Sequence, residues 1–306
     1  MKLLITGAFN CTDEQKLNIE KLGCEVMFQQ MENKPLAPEM FLADMIICNA
    51  LFLYNDLDEF PNLKFVQLTS AGLDRVPVDR MEEKGITLCN ARGVYSTPIA
   101  EWALAGVLAL YKHANQFYAN QQSHRWAKDR NVRELTGSTI CIVGCGSVGT
   151  ECAKIFRPFA DIIMAVDIAA PTSDLYDEYY NIKDISESVK SADVIILTLP
   201  LTDETRNMFD KELFSHMKND AVLVNIARGA IVKEEDLINA LRENKIGGAV
   251  LDVFNTEPLS EESELWNFEN VIITPHNSFV SPKNAERLYN VVFDNLKNFI
   301  KGEENK

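Results

Sequence analysis

Short apolar runs recur along the first ninety positions, separated by amphipathic stretches. The runs Lys2–Thr6, Glu25–Phe28, Met45–Cys48, Lys64–Leu68 and Ile86–Cys89 predict strands, and Asp13–Leu22, opened by Thr12 as N-cap, predicts a helix. Strands alternating with helices pair in parallel and build an α/β layer. Ser96-Thr97-Pro98 then offers a cap residue and a first-turn proline for a helix over Ile99–Tyr111, in which Glu101 is the only charge. A helix so uniformly apolar belongs in an interior, between domains or against a second subunit. His113–Glu134 is polar and predicts an exposed arm. A second alternating series follows Gly137, with six strands expected at Thr139–Val143, Ile162–Val166, Val194–Thr198, Ala221–Asn225, Gly248–Val253 and Val271–Thr274. Ser281-Pro282 opens a last helix with Leu288, Val291, Val292, Leu296, Phe299 and Ile300 on one face, and Gly302–Lys306 are expected to fray.

At 306 residues the chain has room for two domains of the usual ~150. Its net charge of −15 would be repelled by phosphate backbones and anionic membranes, so neither nucleic acid nor membrane is an expected partner. The longest apolar run, Trp102–Tyr111, is half the ~20 residues that a membrane span needs. With one lysine and no long apolar stretch, the N-terminus does not read as a signal peptide, and a cytoplasmic location is expected. Seven cysteines without a C-x-x-C pair fit neither a disulfide framework nor a zinc site, and no metal is expected.

Gly144-Cys145-Gly146-Ser147-Val148-Gly149 matches G-x-G-x-x-G, and its context sharpens the match. An apolar strand runs into the glycines, a helical stretch follows, and a second strand ends in Asp167, eighteen residues past Gly149. Gly144 permits the tight turn, Gly146 lets a pyrophosphate approach the backbone, and Gly149 lets helix and strand pack closely. Asp167 can accept from both ribose hydroxyls and would repel a 2′-phosphate, and no Lys or Arg follows within Ile168–Pro171. The expected cofactor is NAD rather than NADP.

Three ionisable residues lie just beyond later strands: Arg228, Glu257 and His276. Ligands bind outside the C-terminal ends of parallel strands, so these three can converge. An Arg fork reads a carboxylate, a His exchanges protons near neutrality, and a neighbouring Glu stabilises the charged imidazole.

Here the chain resembles the D-isomer-specific 2-hydroxyacid dehydrogenases over about Leu63–Ser281. The likeness is carried by Ser70-Ala-Gly-Leu-Asp74, Ala100-Glu101, the glycine motif with Asp167, Leu199-Pro-Leu-Thr-Asp-Glu-Thr-Arg206, and the Arg…Glu…His order. The resemblance implies two doubly wound parallel-sheet α/β domains: a flavodoxin-like substrate domain from residues 1–95 plus 278–306, and a Rossmann NAD-binding domain over 96–277. It also implies that N–H groups of Ser70, Ala71 and Gly72 hold a substrate carboxylate, with Tyr95 nearby, and that Arg228 grips carboxylate and keto oxygen. By the same likeness Ser147 and Val148 contact the diphosphate, and Leu199, Pro200, Ile226, Ala227 and Asp252 line the adenosine and nicotinamide pockets. The implied activity is NADH-linked interconversion of a small 2-keto acid and its D-2-hydroxy acid, with His276 and Glu257 as acid–base pair, in a homodimer. The alternative is an NAD-sensing, corepressor-like binding protein on the same fold. Residues near Ala50, Leu51, Phe52 and Tyr95 read as an apolar substrate wall, favouring an uncharged substrate side chain over a phosphate. After His276, Asn-Ser-Phe departs from the family's commoner small apolar and glycine residues.

Overall fold

The structure is a computed structural model that describes residues 1–304. It divides into two compact units, Met1–Tyr95 together with the chain from Ser281 onward, and Ser96–Val280. The second crossing falls three residues later than the expected 277/278.

In the first unit, β1 (Lys2–Thr6), β2 (Glu25–Gln29), β3 (Met45–Cys48), β4 (Phe65–Leu68) and β5 (Thr87–Cys89) form a parallel sheet in the order β2-β1-β3-β4-β5. That is the flavodoxin-like winding. Strand β3 is buried at every position, which is why it reads as an unbroken apolar run. Helix α1 (Asp13–Glu20) begins at a capping box in which Thr12 and Gln15 satisfy each other's backbone N–H groups. A short α2 (Val78–Glu83) precedes β5.

The second unit opens with α3 (Ser96–Tyr111) and α4 (Ala114–Gln122). Ser96 is the first helical residue rather than a cap, and its buried hydroxyl has no hydrogen-bond partner. Then come β6 (Ser138–Val143), α5 (Ser147–Phe156), β7 (Ala160–Asp167), β8 (Glu178–Asn181), α6 (Ile185–Val189), β9 (Val194–Leu197), α7 (Lys211–His216), β10 (Val222–Asn225), α8 (Glu234–Arg242), β11 (Gly248–Leu251) and β12 (Val271–Ile273). The sheet is parallel throughout and ordered β12-β11-β10-β9-β6-β7-β8, a Rossmann winding whose direction reverses between β6 and β9. It has seven strands where six were expected. The additional one, β8, is the polar Glu-Tyr-Tyr-Asn at a sheet edge, where no apolar run is needed. Helix α3 sets Ala100, Ala103, Val107 and Tyr111 into one core with Cys152 and Phe156 of α5. A Cβ on Gly106 would come within 2.5 Å of Val250, so the glycine is what lets α3 lie against β11.

The chain closes with α9 (Asn284–Glu304), which starts beyond Ser281-Pro282 and returns to the first unit. Its Leu288, Val292, Leu296 and Ile300 share a core with Leu3, Ile5, Met45 and Phe65. The Asn295 amide donates to Oε1 of the buried Gln67 at 2.8 Å. Fraying was expected over Gly302–Lys306, but the helix continues through Gly302 to Glu304; residues 305–306 lie outside the described residues. Among the described residues no helix is long and apolar enough to cross a membrane.

Candidate active site

Strand β6 runs directly into the glycine turn. Gly144 sits at φ +100°, and a Cβ there would come within 2.8 Å of the Leu199 nitrogen. At Gly149 a Cβ would lie 2.0 Å from the Gly144 carbonyl oxygen, so only glycine lets α5 seat on the turn. Around Gly146 the Cβ position is open, with nothing within 4 Å. Gly146 is also the N-cap of α5 and has no side chain to cap it, which leaves the first-turn N–H groups at Ser147 and Val148 to an incoming anion. At the end of β7, the Asp167 carboxylate accepts from Cys145 N at 2.6 Å and Ile168 N at 2.7 Å. Each oxygen takes one N–H and keeps a lone pair for a ribose hydroxyl. Leu199, Ile226 and Ala227 are buried just past β9 and β10, while Pro200 is exposed with its carbonyl held by the Thr205 hydroxyl at 2.8 Å. Turn, open glycine and acidic strand end together fit a dinucleotide.

Arg228 follows β10 in extended conformation, half-buried, its Nη1 donating to Ala227 O at 2.7 Å. The buried Asn225 amide donates to Arg228 O at 3.0 Å and fixes the turn. Gly229 presses this turn flush against the next, since a Cβ there would lie 2.0 Å from the Phe254 carbonyl carbon. Phe254 N in turn donates to Glu257 Oε1 at 3.0 Å. The other carboxylate oxygen, Oε2, stands 2.8 Å from Nδ1 of His276. With Nδ1 bound there, Nε2 is the ring nitrogen left to exchange a proton with a substrate.

His276 sits at φ +51°, the left-handed region, which costs a non-glycine residue about 1 kcal/mol or more. Its surroundings compensate. The His276 N–H donates to Asp252 O at 2.8 Å and Thr274 O at 3.0 Å. The Asp252 carboxylate is 1% exposed; it accepts from the Thr274 hydroxyl at 2.6 Å, Asn277 N at 2.8 Å and Ser278 N at 3.0 Å. Asp252, expected as a pocket wall, thus spends its carboxylate on both flanks of the histidine turn. Nothing local in the sequence signals this role, or those of Asn225 and Gly229, because the partners are brought together by strand ends.

In the first unit, the loop after β4 has its carbonyls tied to protein donors: Ala91 N to Ser70 O at 2.9 Å, Asn90 Nδ2 to Ala71 O at 2.7 Å and Ser70 Oγ to Gly72 O at 3.1 Å. Carbonyls held in this way suit a loop that offers N–H groups to a carboxylate. The Tyr95 hydroxyl donates to Thr69 O at 2.6 Å, and burial pushes its phenol up. Ala50 and Phe52 are half-buried, whereas Leu51 is completely enclosed in core and is no pocket wall.

A family model described as D-isomer specific 2-hydroxyacid dehydrogenase, NAD binding domain, matches residues 104–278. The chain belongs to this family. A hydroxypyruvate reductase of Thermotoga maritima is 35% identical over 266 residues, 85% of this chain and 86% of the relative. A glyoxylate reductase of Thermofilum pendens is 30% identical over 304 residues, 95% and 89% of the two chains. Among solved structures, a D-lactate dehydrogenase from Aquifex aeolicus, complexed with NAD and lactic acid, superposes with TM-score 0.79 at 25% identity, covering 99% and 96%. The chain is therefore a D-2-hydroxyacid dehydrogenase, an oxidoreductase that couples a nicotinamide dinucleotide to the reduction of keto acids.

Proposed function

We propose that this dehydrogenase reduces a small 2-keto acid to the D-2-hydroxy acid with NADH, using His276 as the proton donor. The observation that carries the reading is the 2.8 Å contact between His276 Nδ1 and Glu257 Oε2, held on strand-end turns of the nucleotide-binding sheet. Bound NADH would supply the hydride. The chain's own residues do the rest. His276 gives a proton from Nε2 to the forming alkoxide, and Glu257 orients the ring and stabilises its charged form. Arg228 grips carboxylate and keto oxygen through its planar fork. Ser70, Ala71 and Gly72 offer N–H groups to the carboxylate, and Tyr95 stands beside them. Gly144, Gly146, Ser147, Val148 and Gly149 cradle the diphosphate. Asp167 takes the ribose hydroxyls and disfavours NADPH, while Leu199, Pro200, Ile226 and Ala227 enclose the rings, with Asp252 behind them. Glyoxylate and hydroxypyruvate, the substrates named for two relatives, head the candidates.

A homodimer is part of the same proposal. One face of α3 carries Leu104, Ala105 and Leu108, which are half-buried or exposed, and Trp126 on the following arm is 95% exposed. A second copy covering these residues would remove that apolar surface from water.

The test is a panel of small 2-keto acids with NADH, read at 340 nm, for wild type and His276→Asn. Wild type turns over at least one member. The variant keeps NADH binding and loses about 10²–10⁴-fold in kcat, the range for a positioned general acid. NADH binding without turnover of any keto acid would instead identify a nucleotide-sensing protein.

A further inference from the structure

Glu32 is assigned nothing by the reading above, yet its carboxylate ties three strand ends of the first unit together. Its Oε1 accepts from the Thr6 hydroxyl and from Asn49 N, each at 2.7 Å, and its Oε2 accepts from Ala50 N at 2.7 Å. Thr6 ends β1 and is fully buried, and Asn49 directly follows β3. Glu32 itself lies three residues past β2. A close approach sets it there: Gly7 N donates to Gln29 O at 2.9 Å, and a Cβ on Gly7 would lie 2.2 Å from Gln30 O. All three partners of the carboxylate are neutral donors, so the charge is spent on fixing backbone rather than on an ion pair.

The loop it fixes matters by position. Thr69 N donates to Cys48 O at 2.9 Å, which makes the loop after β3 the neighbour of the loop after β4, where Ser70–Gly72 lie. We propose that Glu32 is a positioning residue: it holds the Asn49–Leu53 loop in register beside the substrate-carboxylate seat and so governs keto-acid affinity without touching the substrate. This rests on the assignment of Ser70–Gly72 as that seat. Two consecutive N–H groups require two acceptor oxygens. A glutamine offers one oxygen and turns an NH₂ donor toward the other N–H, so one bond is lost outright and the charge assistance with it.

The experiment compares wild type, Glu32→Gln, Glu32→Asp and Thr6→Val in keto-acid KM and kcat, in NADH affinity by fluorescence, and in amide hydrogen exchange. Glu32→Gln raises KM about tenfold, the equivalent of one charge-assisted hydrogen bond. Meanwhile kcat stays within about threefold, NADH affinity within about twofold, and the Asn49 and Ala50 amides exchange faster. Glu32→Asp, which restores the charge, recovers part of the KM. Thr6→Val raises it about two- to threefold and supplies the readout should Glu32→Gln fail to fold. An unchanged KM in the folded variants overturns the proposal, as does a parallel loss of kcat and NADH affinity, which would mark general damage. Wild type that turns over no keto acid overturns the functional reading and this role with it; wild-type turnover with unchanged KM in the variants overturns this role alone.

Discussion

Single residues in this protein carry two loads at once. The Asp167 carboxylate secures Cys145 N and, in the proposed function, also takes the ribose hydroxyls. Asp167→Asn keeps an oxygen for the glycine turn and removes the charge, so the preference for NADH over NADPH should narrow about tenfold, ~1.4 kcal/mol, as read from Kd values for the two cofactors. Wild type that binds NADPH as tightly as NADH would refute the assignment. The thiols carry a different forecast. Burial pushes all seven upward, Cys145 to about 11 and Cys141 to about 12. With the pKa values raised, the thiolate forms are scarce at pH 8. Iodoacetamide should therefore label the native protein slowly at pH 8, faster as pH climbs toward 11, and all seven sites promptly after denaturation. Rapid loss of NADH binding on alkylation at pH 8 would contradict this. The nucleotide turn should then resist mild thiol oxidants although a cysteine sits inside it.

At the scale of elements, what could be read beforehand was whatever burial writes into a continuous run. Strands β3, β9, β10 and β11 are buried along their whole length and announce themselves as such. Edge strand β8 needs no apolar run and was missed. Arg228, Glu257 and His276 could be named because each follows a strand. The carboxylates that fix strand-end loops could not: Asp252 meets Asn277 and Ser278 across 25 and 26 residues, and Glu32 meets Asn49 and Ala50 across 17 and 18. Such pairings depend on which strand ends become neighbours, and hydrophobic period carries no record of that. The arm after α3 was legible only as polar, yet it exposes Phe117, Tyr118 and Val132, and its Trp126 is almost wholly exposed. Light scattering at micromolar concentration should give twice the 34.5 kDa of the chain, and Trp126→Ser should weaken the association. A monomeric mass for wild type would remove the argument for a second copy.

Across the whole molecule, the decisive feature is that the first unit is made from both ends of the chain. Its core joins Leu3, Ile5 and Phe65 to Leu288, Val292, Leu296 and Ile300, with the entire second unit between them in sequence. Ending the chain at Val280 would leave the α9 seat bare. The shortened protein should bind a hydrophobic dye, and its first 95 residues should be cut by protease well before residues 96–280. Equal resistance of both parts would show that α9 is dispensable. The same connectivity sets the order of events during synthesis. On a ribosome adding about 5–20 residues per second, the first five strands emerge early but wait some ten seconds or more for the helix that closes their core. In that interval an apolar sheet face stands open to other nascent chains. Contacts spanning nearly the full sequence also slow refolding from denaturant, because a long loop must close before they are made. Chaperone dependence should therefore concentrate on the first unit, whose core stays incomplete until α9 is made.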